Sequence, residues 1–161
     1  MKQAIREAVA AASVLALAAC AHDPAPAHAM VMTNTIVITN SGATNLIGWR
    51  VLVATNGSAS WASGDGAGQS VLPRSLASNL ARDVAAAQPL ARLPHPVDCI
   101  KPVSFGTSTF VALGGDKSPD LTCPGNDAAR ALKDDVAAVT TFLHVRNVPH
   151  GQGSELAPEN F

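Results

Sequence analysis

The sequence contains no tyrosine, and only two tryptophans and four phenylalanines stand among its 161 residues. Trp49, Trp61, Phe105, Phe110, Phe142 and Phe161 are too few and too scattered for an aromatic platform that stacks sugars or bases. Charge is sparse as well: 14% of residues are charged, with 11 basic against 12 acidic side chains. No basic excess exists to neutralise a phosphate backbone, which excludes nucleic acid as an electrostatically held partner. Nor is there an acidic run of the kind that forms a solvating tail. The one continuous strongly apolar segment, Ala8 to Ala19, falls short of the roughly 20 residues a membrane-spanning helix takes. Cysteine occurs three times, at Cys20, Cys99 and Cys123, never as the close pair a zinc site wants. No G-x-S-x-G elbow marks a serine hydrolase. What remains is rich in Ala, Val and Leu, enough for one modest domain with a small core.

The first residues have their own logic. Lys2 and Arg6 make a basic start, and the uncharged run from Ala8 to Ala19 follows, which is the shape of a secretory signal. It ends in Leu17-Ala18-Ala19-Cys20. A branched apolar residue followed by two small ones suits a narrow intramembrane protease site, and the Cys20 thiol suits acylation. The segment resembles the lipobox of bacterial lipoproteins. That resemblance implies cleavage between Ala19 and Cys20, lipidation of Cys20, and stable anchoring once two or more acyl chains are attached. Cleavage after Ala29, at Ala27-His28-Ala29, would instead release a soluble or secreted periplasmic protein, and an uncleaved anchor is the third possibility. Removal of residues 1–19 takes two of the 11 basic and one of the 12 acidic side chains, leaving 9 against 11. Residues 20–32, with Pro24 and Pro26, read as the lipid-bearing cysteine and an extended Pro/Ala linker. His22 and His28 read as solvated spacers within it. Ala21, where an Asp would signal retention, implies by the same resemblance an outer-membrane location facing the periplasm in a Gram-negative host.

Cys99 and Cys123 are the two thiols left after lipidation, an even number in an oxidising compartment, and they are expected to form a disulfide. The loop of about 25 residues would gain roughly 3.5 kcal/mol on the chain-entropy model. The rival readings are a metal site, which would want a close pair such as C-x-x-C, free thiols, and a catalytic thiol, for which no base is identifiable. His95, four residues before Cys99, is flanked by Pro94 and Pro96 and is not at helical spacing, so no metal site is expected.

Residues 33–145 read as an α+β domain. Thr33 to Thr39 is β-branched and predicts a strand. Trp49 to Ala54 predicts a second, closed by the hairpin turn Asn56-Gly57, with Ser58 to Ala62 returning. Gly64 to Gly68 reads as a flexible turn before a short strand, Gln69 to Leu72. Pro73 suits the first position of a helix, whose stripe is Leu76, Leu80, Val84 and Ala87. The proline-rich stretch Leu90 to Pro102 reads as a loop. Thr107 to Leu113 predicts a strand, Gly114-Gly115 a turn, and Asp120 to Thr122 a brief strand. Asn126 or Asp127 caps a second helix with Ala129, Leu132, Val136, Val139 and Leu143 on one face. Residues 146–161 read as a flexible tail. The expected architecture is a small antiparallel sheet packed against two amphipathic helices, a two-layer sandwich.

Ser104-Phe105-Gly106-Thr107 and Ser118-Pro119-Asp120-Leu121-Thr122-Cys123 together resemble an uncharacterised family of exported bacterial proteins with SFGT and SPDL(S/T)C patterns, over about Ile36 to Leu143. The resemblance brings no activity. Read chemically, Ser118-Pro119-Asp120 is turn chemistry, and the functional alternative is a polar patch of Lys101, Ser104, Asp116, Lys117 and Asp120 that meets a ligand. Other motifs fail. Gly114-Gly115-Asp116-Lys117-Ser118 places a repelling carboxylate where a phosphate loop needs glycine. Gly64-x-Gly66-x-Gly68 lacks dinucleotide spacing. Asn56-Gly57-Ser58 reads as a turn before a sequon. His144 reads as a helix-end cap, and Asp134-Asp135 point apart on their helix. No catalytic residue, cofactor or metal ligand is assigned. The sequence leads to an exported, membrane-anchored lipoprotein of the cell envelope, a non-catalytic binding or structural module whose partner is the membrane through its lipid and another envelope protein. The alternative is a small envelope enzyme or enzyme inhibitor.

Overall fold

The computed structural model describes residues 34–151. They belong to one of two compact units, Val31–Phe161. The signal peptide, Cys20 and most of the linker lie outside the described residues.

Alternation builds the sheet. In β1 (Thr35–Asn40) Ile36 and Ile38 point inward, and in β3 (Trp49–Ala54) Trp49, Val51 and Val53 do the same. The register Ile36↔Val53 and Ile38↔Val51 sets these residues side by side. A one-residue slip would turn them all to solvent. β4 (Ser58–Ser63) and β5 (Gly66–Val71) continue the sheet on one side of β3, and β6 (Thr109–Leu113) and β7 (Asp116–Lys117) continue it beyond β1. The order is β5-β4-β3-β1-β6-β7, antiparallel throughout. The helices α1 (Arg74–Ala86) and α2 (Asp127–Leu143) pack on each other over the inward face. Leu80 and Val84 of α1, and all five residues of the α2 stripe, are buried. This is the expected α+β two-layer arrangement.

The α2 ends follow local chemistry. The Asn126 side chain accepts the Ala129 N–H at 2.8 Å, and His144 takes the left-handed C-cap with φ 56°. Elsewhere the structure departs from the reading, most clearly as follows. The fourth strand starts at Gly66, not Gln69, because the turn needs only Gly64 and Asp65. The Trp61 indole then lies over Gly68, where any Cβ would collide with the ring. Asp120 to Thr122 is a turn and not a strand: the Asp120 carboxylate accepts both the Thr109 and Thr122 N–H groups at 3.0 Å. Leu90–Arg92 forms a 3-10 turn inside the expected loop. The start of the expected tail is ordered. There β8 (Val148–Pro149) pairs with β2 (Leu46–Ile47), Val148 is buried, and the Asn147 amide donates to Asn40 Oδ1 and to the Ile47 carbonyl.

Candidate interaction surface

The proline-rich stretch between the first helix and β6 folds back as a loop, and one ion pair braces it. Lys101 Nζ donates to the Thr107 carbonyl at 2.9 Å, to Ser108 Oγ at 2.8 Å and to Asp120 Oδ2. Three acceptors saturate the three N–H bonds of an ammonium. Asp120 is equally occupied, since its Oδ1 also accepts the Thr109 and Thr122 N–H groups and the Thr122 hydroxyl. Burial lowers the Lys101 pKa from its usual value, yet a carboxylate in contact holds the proton on the amine. Lys101 and Ser108 have the atom types of a Ser-Lys catalytic pair. With Asp120 as the third member, the amine has neither a lone pair for a base nor a free N–H for a ligand. The cluster is a brace.

The loop is pinned elsewhere too. Cys99 and Cys123 form the expected disulfide, with Cα atoms 5.9 Å apart across a separation of 24 residues. Gly125 lies against the Pro94 backbone, where a side chain would collide. The Gly106 N–H donates to the Pro102 carbonyl at 2.7 Å, and the Asn45 N–H to the Ser104 carbonyl at 3.3 Å. The Ser41 and Ser108 residues exchange bonds of 2.8 and 3.1 Å. Out of this frame stand Val97, Ile100, Val103 and Phe105, exposed by 96, 93, 91 and 61%. They make up most of the large exposed hydrophobics of the described residues. A free loop would tuck such side chains in, and a braced one keeps them in water. A contiguous exposed apolar patch marks an interaction site, whereas single exposed groups carry no meaning; these four stand close together along one loop.

The expected polar patch is thus divided. Lys101 and Asp120 meet, but each is spent on the other. Ser104 contributes its backbone. Asp116 caps the 3-10 turn, accepting the Leu90 N–H at 2.6 Å and the Ala91 N–H at 3.0 Å. Lys117 stands 3.9 Å over the Phe110 ring, a cation–π contact. The four apolar residues were missed because periodicity assigns an apolar residue to a helix or strand face, and these belong to neither. The available signal was their density within a stretch broken by Pro94, Pro96 and Pro102.

Two further features bear on chemistry. A groove of about 860 Å³ lies on the helix-free face of β3, β4 and β5, lined by Arg50, Leu52, Ser60, Ala62, Ala67 and Gln69 among others. Arg50 is its one ionisable group, so it holds no acid–base pair. Between the helices, Asp135 meets Asp83, a carboxylate pair that adjacency of Asp134 and Asp135 had hidden. Burial, and then the charge of Asp83, push Asp135 up to about 6. The Arg82 guanidinium, bonded to Asp83 at 2.8 and 3.3 Å, holds Asp83 below the usual carboxylate range. Among the described residues no group of three or more His, Cys, Asp or Glu is placed to hold a metal, and no helix is long and apolar enough to cross a membrane. No protein-family model matches the chain, and no curated protein is significantly similar to it.

Proposed function

We propose that this chain is an exported lipoprotein, acylated at Cys20, whose folded domain is a non-catalytic module that docks its braced loop on another protein of the cell envelope. The observation that carries the reading is the loop itself. A disulfide, a partly buried ion pair and several backbone bonds hold the loop on which Val97, Ile100, Val103 and Phe105 stand in solvent. The disulfide suits an oxidising compartment, and the Leu17-Ala18-Ala19-Cys20 segment supplies the anchor. The near-neutral charge leaves nucleic acid out.

A photoreactive amino acid at Ile100, in cells of the native host, tests the docking. One discrete envelope adduct is expected, and it is lost when Val97 and Val103 are both changed to Asp. The same probe at Arg74, on an exposed helix start, is expected to give no adduct. Identical adduct patterns at the two sites would sink the idea. Loss of fatty-acid labelling in Cys20→Ser is expected in parallel, and undiminished labelling removes the lipoprotein part of the reading alone.

A further inference from the structure

The two borders of the six-stranded sheet are built differently. β7 closes one border with two residues; both are charged, and Asp116 is bonded to the 3-10 turn beside it. β5 closes the other with six residues, Gly66–Val71, none of them charged and none proline. Natural edge strands are shortened, charged, bulged or covered so that they do not pair with other chains. β5 has none of these protections, and its register with β4 runs unbroken from Ser58↔Val71 to Ser63↔Gly66.

The free backbone groups can be named. The two-residue turn Gly64-Asp65 makes Ser63 and Gly66 the closing hydrogen-bonded pair of the hairpin. Bonds to β4 therefore fall on Gly66, Gly68 and Ser70. The N–H and C=O groups of Ala67, Gln69 and Val71 point away from the sheet, and they have no partner among the described residues. The side chains of the same three residues lie on the helix-free face, and Val71 is 66% exposed.

We propose that β5 pairs with itself: two copies of this chain join edge to edge, antiparallel, about a two-fold axis. An axis relating antiparallel edge strands stands perpendicular to the sheet, so it opposes residues of like face. In the register centred on Gln69, that residue opposes its own copy, and Ala67 opposes Val71 of the second copy. All three pairs are of the outward-bonding kind, so every free group of the strand is used. Val71 is covered by a small apolar side chain at each end, and the central amides can bond each other. No charge on β5 answers a charged strand, which makes an uncharged one its fitting occupant, and its own sequence is one. The contact is isologous and closes as a dimer. It also sets the two grooves, each bordered by Ala67 and Gln69, side by side across the axis. The pairing is independent of the docking loop and of the lipid anchor.

The test uses Gln69→Cys in the chain with Cys20 changed to Ser, so that the introduced thiol is the only one outside the Cys99–Cys123 disulfide. Directly opposed residues of a hydrogen-bonded pair have Cα atoms about 5.5 Å apart, inside the range a disulfide spans. Mild oxidation is expected to give a covalent dimer on a non-reducing gel. Arg50→Cys, two strands further in, is expected to give none. In sedimentation equilibrium the unsubstituted chain is expected to self-associate, and Gln69→Lys, which opposes two like charges, is expected to weaken this by at least about ten-fold while leaving the thermal midpoint unchanged at concentrations low enough for both chains to be monomers. A Gln69→Cys chain that stays monomeric overturns the proposal. So does capture of a different protein at that position in place of a second copy, or self-association that Gln69→Lys leaves unchanged.

Discussion

At the scale of single residues, Asp135 is a half-buried carboxyl on α2 that meets Asp83 of α1. Its carboxyl is pushed up from 3.8 to about 6 by burial and by Asp83. A raised folded-state pKa means that the folded protein binds the proton more tightly than the unfolded chain. The stability this contributes is fully present below the unfolded value and is lost as pH rises through about 6. Asp83, lowered by Arg82, works in the opposite sense, with stability present above its unfolded value and lost as pH falls through its own depressed value. Asp135→Asn keeps the shape and removes the titration. Relative to the unsubstituted protein, its stability by urea denaturation is expected to improve between about pH 4.5 and about pH 8. Equal differences at the two pH values would show that Asp135 is not raised in the folded protein. This contact was not legible beforehand, because Asp83 and Asp135 lie on different helices and only the packing of α1 on α2 introduces them.

At the scale of elements, period decided what could be read. The α2 stripe was legible because Ala129, Leu132, Val136, Val139 and Leu143 repeat at helical spacing, and all five are buried. Val136→Asp places a charge in that core without a partner, and is expected to cost about 3 kcal/mol or more, enough to unfold a small domain. Lys133→Ala is expected to stay within about 0.5 kcal/mol, since the exposed Lys133 amine makes a single 3.2 Å contact with the Thr122 carbonyl. Thermal melts of the two variants distinguish them, and equal midpoints would refute the assigned orientation. β5 and β8 were less legible. Glycines at Gly66 and Gly68 read as turn residues, although one makes room for Trp61. Val148–Pro149 is too short for any period, and only its pairing with Leu46–Ile47 makes it a strand.

At the scale of the molecule, the braced loop ties together segments with little core of their own. Removing a native disulfide from a small secreted domain costs roughly 2–5 kcal/mol. Cys99→Ser and Cys123→Ser are expected to fall in that range and to be equal. The double variant is expected to be no worse than either, because both changes break one bond. Denaturant midpoints of the three variants give the answer, and additive losses would mean that the cysteines act separately. The cysteine pairing was readable from composition. The exposed apolar loop it pins was not, because exposure of Val97, Ile100 and Val103 depends on where Lys101 and Asp120 draw the backbone.

The position of β1 has a consequence for how the chain comes into being. β1 is the first described strand, and it lies inside the sheet between β3 and β6. If the chain is exported N-terminus first, as proposed above, β1 finds β3 early but gains its second neighbour only once Thr109–Leu113 has crossed. Until then Ile36 and Ile38 border an unfinished edge, and the chain must pass through a stage at which its most buried strand is its most adhesive one. Chains that end short of Thr109 leave that edge of β1 open and are expected to aggregate, whereas chains that include β6 close it.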